Sequence, residues 1–144
     1  MNSVKEFMSN RNENIGNILR EFSSVQDKNK IKVLRKLKKM VERQIFLDEQ
    51  IIYPVYENKM EMHVIGPTST MREEHTLIKE FLDSMDKNIQ KGEYDNSSKI
   101  QEDLNKVLML HTQREESMLY GWIDSALEIK DIKNIIKNLR KNAR

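Results

Sequence analysis

The chain has 144 residues, the size of one domain and too short for two well-filled cores. It contains no cysteine, which excludes disulfides, thiolate metal sites and a cysteine nucleophile, and its four glycines and two prolines are too few for the many turns of an all-β sandwich or barrel. Lys and Arg number 25 against 23 Asp and Glu, a net charge of +2 that argues against nucleic acid as the partner.

No apolar run approaches the roughly 18–20 residues that span a bilayer, and the first residues lack an apolar signal segment. The expectation is a single domain over 1–144, cytoplasmic and without a membrane partner. Charge is unevenly spread. Eight basic residues lie between Lys28 and Arg43 against Glu42 alone, and six between Lys130 and Arg144 against Asp131 alone. These are solvated helix faces or a docking patch for an acidic protein.

Helical periodicity runs through the whole chain. Val4, Phe7/Met8, Ile15, Ile18/Leu19, Phe22 and Val25 form the first apolar stripe. Gln26–Asn29 reads as a connection. The second stripe comprises Ile31, Leu34, Leu37, Val41, Ile45, Ile51/Ile52 and Val55, with Pro54 expected to kink or end the helix near Tyr53. Asn58–Gly66 lacks periodicity and reads as a loop, in which His63 is expected to be an exposed histidine. Pro67, and Thr70 with Glu73 as a capping box, predict the next helix start. Met71, Leu77/Ile78, Phe81/Leu82, Met85 and Ile89 make the third stripe, ended by Gly92. Asp95–Ser98 offers N-caps for a fourth helix carrying Ile100, Leu104, Val107/Leu108, Met118/Leu119 and Trp122. A short basic amphipathic helix (Ile129, Ile132, Ile135/Ile136, Leu139) closes the chain. The fold class is therefore all-α: an up-and-down four-helix bundle with a short additional C-terminal helix.

Extending the stripes brings polar residues onto the inward faces. The second carries Gln44 and Asp48 inward, the third His75, and the fourth His111 and Glu115, which are four residues apart and share a face. Tyr53, Tyr120 and Trp122 fall near the stripe ends as core or hydrogen-bonded rim. Burying two unpaired carboxylates together is costly, because each raises the pKa of the other. A divalent metal held by Asp48, His75, His111 and Glu115 would cancel both charges, and N/O ligands without sulfur suit iron, manganese or zinc. Two histidinium–carboxylate pairs would also cancel them, and a misphased, exposed set would remove the problem. The Glu-x-x-His motif of ferritin-like di-iron bundles and the zincin His-Glu-x-x-His are both absent.

At these residues the sequence resembles the hemerythrin-like, His-His-Glu cation-binding domains. Val41–Glu57 is similar to that family's second-helix signature at Gln44, Asp48, Glu49, Tyr53 and Pro54. Gly66–Leu82 is similar to its Gly-Pro…Met-x-x-Glu-His third-helix start, with Glu74-His75 in register. Leu110–Tyr120 is similar to its last-helix His-x-x-x-Glu-Glu-x-x-Leu-Tyr at His111, Glu115 and Glu116. The resemblance implies a metal centre, yet the chain departs from the pattern at two histidines and at the second-helix acid, which is shortened to Asp48. Phe22 follows Glu21 where a first-helix histidine is expected, and Gln44 replaces the second-helix histidine.

What remains implies one metal ion, iron by resemblance, or none, instead of a di-iron pair. Glu21, Glu49, Glu74, Glu116 and Gln44 are secondary candidates for coordination. Oxygen carriage in the family uses two irons, so the reduced set points to iron handling or to sensing of oxygen, nitric oxide or redox state, with a small diatomic ligand. The alternative is a metal-free interaction or regulatory module using the basic surface. Peroxide turnover on the same iron is a third option, and no catalytic residue is assigned.

Overall fold

The computed structural model describes residues 2–62 and 65–143; His63 lies outside them. Every element among the described residues is helical. Helix α1 (Val4–Ser24) is capped by Ser3, whose Oγ accepts the Glu6 N–H at 3.1 Å. Only Val25 and Gln26 separate it from α2 (Asp27–Phe46), so the first connection is shorter than expected.

Helix α2 does not end near Pro54. It widens into a π-helical turn, Leu47–Ile52, and continues as α3 (Tyr53–Lys59), with right-handed helical backbone at both joints. The Tyr53 N–H reaches back five residues to the Asp48 carbonyl, and Pro54, which has no N–H to give, comes directly after it. The rod ends at Lys59 with Glu61 in the left-handed region (φ 54°) and the Met62 N–H on the Glu57 carbonyl at 2.9 Å.

Helix α4 (Pro67–Gln90) begins with proline in its first turn, as expected, but Thr70 and Glu73 do not form its cap. Gly66 and Ser69 do: the Gly66 N–H donates to Ser69 Oγ at 3.1 Å, and Ser69 Oγ donates to the Gly66 carbonyl at 2.7 Å. Gly92 terminates it (φ 75°), with its N–H on Ile89 O at 3.0 Å and that of Glu93 on Asn88 O at 2.8 Å. Helix α5 (Tyr94–Arg114) starts one residue before the expected caps at 95–98, because the tight Gly92 turn has already reversed the chain.

A second π-helical turn, Glu115–Leu119, leads into α6 (Tyr120–Ala126), and α7 (Ile129–Asn142) closes the chain. This second turn corrects the expected fourth stripe. One extra residue in the turn rotates the remainder of the rod by about 100°. Tyr120 and Ile123 therefore face inward, and Trp122 is turned out, 47% exposed.

The architecture is a bundle of four rods: α1, 27–59, α4 and 94–126. Helix α1 packs on α2, α2 on α4 and α4 on α5, while α6 returns against α1. Helix α7 lies against α1 and the first π turn, burying Ile135, Ile136 and Leu139 at about 1.5–3 kcal/mol per side chain.

The apolar core is in two halves. One gathers Met8, Leu47, Tyr53, Met71, Leu119 and Tyr120; the other gathers Ile15, Phe22, Val41, Ile45, Ile78 and Leu108. Between them is a level where all four rods turn polar side chains inward.

Candidate metal centre

Asp48, His75, His111 and Glu115 meet at that level. All four are buried, and one ligand atom from each lies within 4.8 Å of every other. His111 Nε2 is 2.7 Å from Glu115 Oε1, His75 Nε2 is 3.4 Å from Asp48 Oδ2, and the two Nε2 atoms are 3.0 Å apart. Donors about 2.0–2.1 Å from one ion are separated by about 3.0–3.4 Å along the edges of its coordination shell, so these separations are of the right size.

The imidazoles are held from behind. His75 Nδ1 is 2.6 Å from Glu49 Oε2, and His111 Nδ1 is 2.8 Å from Glu74 Oε1. Arg72 and Arg114 pair in turn with Glu49 and Glu74. A carboxylate accepts the Nδ1–H of each ring, which turns both Nε2 lone pairs toward the centre. Glu49 and Glu74, considered as spare ligands, are thus positioning residues.

Two phenols complete the wall. The Tyr53 hydroxyl donates to Glu115 Oε2 at 2.8 Å; that of Tyr120 lies 2.7 Å from Asp48 Oδ1 and 2.6 Å from Glu115 Oε2. Sequence reasoning placed these tyrosines in the core or rim, where their rings are, and missed that they serve the carboxylates. The available signal was a repeated spacing: a tyrosine five residues after each acid, Asp48–Tyr53 and Glu115–Tyr120. Each pair spans a π turn, and each tyrosine reaches the acid of the other rod.

The electrostatics ask for a cation. Burial pushes the Asp48 carboxyl well above its usual range, and the Glu115 carboxylate adds to the shift. Burial would also raise Glu115, but the hydrogen bond and charge of His111 outweigh it and hold Glu115 well below its usual range. Burial and the neighbouring His111 lower His75. His111 rises despite burial because Glu115 and Glu74 flank it. Burial and the two carboxylates raise both tyrosines, which stay neutral donors.

Two histidinium–carboxylate pairs do not fit this arrangement, since each ring would then point an Nε2–H at the other across 3.0 Å. One proton on His111 serves His111 and Glu115, and Asp48 Oδ2 is left buried without a hydrogen-bond partner unless the Asp48 carboxyl is itself protonated beside Glu115. A metal ion would satisfy all four acceptors together. The expected set Asp48, His75, His111 and Glu115 is therefore brought together, and it fits a metal.

The secondary candidates separate. The Gln44 amide is used up on α1: Arg11 Nε donates to its Oε1 at 2.9 Å, and its Nε2 donates to Asn12 Oδ1 at 2.8 Å. Asn12 Nδ2 donates to Glu116 Oε1 at 3.2 Å, which engages Glu116 away from the four donors. Glu21 is exposed. Phe22 is not the first-helix residue at this level, contrary to expectation. It packs in the far half of the core, about 15 Å along α1 from Asn12 at 1.5 Å per residue, and Asn12 with Ile15 faces the centre. The cavity between the donors is about 20 Å³, lined also by Gln44, Leu108 and Thr112.

No curated protein and no solved structure matches the chain. The hemerythrin HHE cation binding domain matches residues 3–123, from the cap of α1 to α6 and including all four donors. The helical bundle, the buried His/Asp/Glu cluster and this match agree, and the chain belongs to the hemerythrin HHE cation-binding domain family.

Proposed function

We propose that the protein holds one metal ion, iron, through His75, His111, Glu115 and Asp48, and uses it to sense a small diatomic ligand or redox state or to handle iron. The observation that carries this reading is the convergence of four buried donors, Asp48, His75, His111 and Glu115, with one ligand atom of each within 4.8 Å of the others. A single ion is favoured over two because Gln44 and Asn12, on the α1 side of the cavity, are committed to each other and to Arg11 and Glu116. Bound there, iron supplies a one-electron couple and an open coordination position.

The chain's own residues set the limits. Glu49 and Glu74 orient the rings, Tyr53 and Tyr120 hold protons at the carboxylates, and two apolar core halves exclude bulk water. A cavity of about 20 Å³ has room for one water-sized molecule. That argues against an organic substrate at the centre.

Metal analysis of protein expressed with iron supplied should find one ion per chain. Two irons with an oxo-bridge absorption would refute the single-ion reading. No metal, with melting unchanged by chelator, would refute the function and leave the interaction module on the basic surface.

A further inference from the structure

Helix α7 presents two unlike flanks. Ile135 and Leu139 are buried against the bundle, and Asp131, the one acid within α7, lines the flank beside the first π turn with Asn134 and Asn138. The other flank forms a groove of about 770 Å³. Ile132 and Ile136 are its floor, Ile129 stands at its mouth, 72% exposed, and Lys133, Lys137 and Arg140 line its rim. Asn2, just ahead of α1, closes it. Both sides are held before anything binds. The Val4 and Lys5 N–H groups donate to Asp124 Oδ1 and Oδ2 at 2.9 and 3.1 Å, and Arg11 Nη1 donates to the Ala143 carbonyl at 3.2 Å.

The three cations recur at four- and three-residue steps, so they share one side of the helix over about 10 Å. None has a carboxylate partner among the described residues, and no acid lines the groove. Lys133 and Lys137 instead repel each other across one turn. An apolar floor under an uncompensated positive rim calls for an occupant that is apolar on one face and acidic beside it. We propose that this groove docks an acidic amphipathic helix of a partner protein. Its apolar side chains would pack on Ile129, Ile132 and Ile136, and its Asp and Glu residues would meet Lys133, Lys137 and Arg140. This inference is separate from the metal reading. A lipid surface is the poorer match, because Ile136 is only 5% exposed: a protruding side chain reaches it and a flat bilayer does not. A second α7 would bring like charge.

A synthetic amphipathic helix of about 20 residues, with Leu at i, i+3 and i+7 and Glu beside them, is the probe. Titrated into the full-length metal-free protein, it should shift the NMR signals of amides 129–140 and bind with a micromolar Kd. Reversing the rim with Lys133→Glu, Lys137→Glu and Arg140→Glu together, all at exposed positions, should weaken binding at least about tenfold. Ile129→Ser should weaken it about fivefold. The matched reversal of Lys28, Lys32 and Lys36, exposed on α2, changes net charge equally and should alter Kd by less than about twofold. No binding at about 1 mM probe, shifts outside α7, or an equal loss in the α2 reversal would overturn the proposal. Binding to vesicles of about one-third phosphatidylserine without binding to the peptide would overturn it in favour of a lipid surface. A dimer broken by the α7 reversal would overturn it in favour of a second copy.

Discussion

His75 and His111 each have one ring nitrogen committed to a carboxylate, and that commitment prepares the other for a metal. On the proposed reading, Glu74 contributes to affinity without touching the ion. Glu74→Ala should weaken metal binding by about 10–100-fold while leaving the stoichiometry at one, read by competition with a chelator. Away from the centre, the Lys38 ammonium lies 3.0 Å from Asp83 Oδ1 and 3.1 Å from Asp86 Oδ2, and Gln90 Nε2 donates to Asp86 Oδ1 at 2.6 Å. One member of the basic run 28–43 is thus an internal partner and not free surface charge. Burial would raise Asp86, but the Gln90 hydrogen bond and Lys38 outweigh it and hold the carboxyl below 3.8. Its contribution is present above the unfolded value and lost as pH falls through the lower folded one. Asp86→Asn should cost about 1–2 kcal/mol near neutrality, with the gap to wild type closing below about pH 3.8 in urea titrations.

At the scale of elements, both candidate carboxylate ligands sit at the start of a π turn: Asp48 is the second residue of Leu47–Ile52 and Glu115 the first of Glu115–Leu119. Each turn lengthens the return by one residue and swings a tyrosine, Tyr53 or Tyr120, onto the opposite acid. An unbroken α-helix would leave those tyrosines about 100° away. Ser117 is exposed in the second turn, so its deletion removes no buried side chain but restores helical phase, turning Tyr120 and Ile123 away from the core. The expected result is near-native helix content by far-UV circular dichroism together with loss of metal, because Tyr120 no longer reaches Asp48 and Glu115. Metal retained at one ion per chain would show that the π turn is incidental to the centre.

For the molecule as a whole, a polar level between two apolar halves is a weak point that a bound ion would convert into a tie. Four rods contribute to that level, and three of them supply the candidate ligands. A ligand that binds the folded chain alone stabilises it by mass action, about 2.7 kcal/mol at a hundredfold excess over Kd. For a domain of this size that corresponds to a rise in Tm of about 5–10 °C. Comparing iron-loaded with chelator-treated protein under anaerobic conditions checks it, and the C-terminal helix should melt in the same transition, since Arg11 joins Gln44 to the Ala143 carbonyl.

Helical class, stripe positions and the four candidate ligands were legible because a 3.6-residue repeat of apolar residues is a local property, and a buried acid or histidine interrupts it visibly. Met71, His75, Ile78, Leu82, Met85 and Ile89 all proved inward-facing, since nothing in α4 disturbs the phase. Prediction fails where phase changes. Trp122 lies past a π turn that local spacing does not announce, and the level of Phe22 depends on the slide of α1 against the other rods. The roles of Glu49 and Glu74 were beyond the sequence for the same reason, and those of Tyr53 and Tyr120 were marked only by their spacing from the two acids. Each acts on a residue 26 to 72 positions away, and which side chains meet across a bundle is decided by packing, after the helices have already formed.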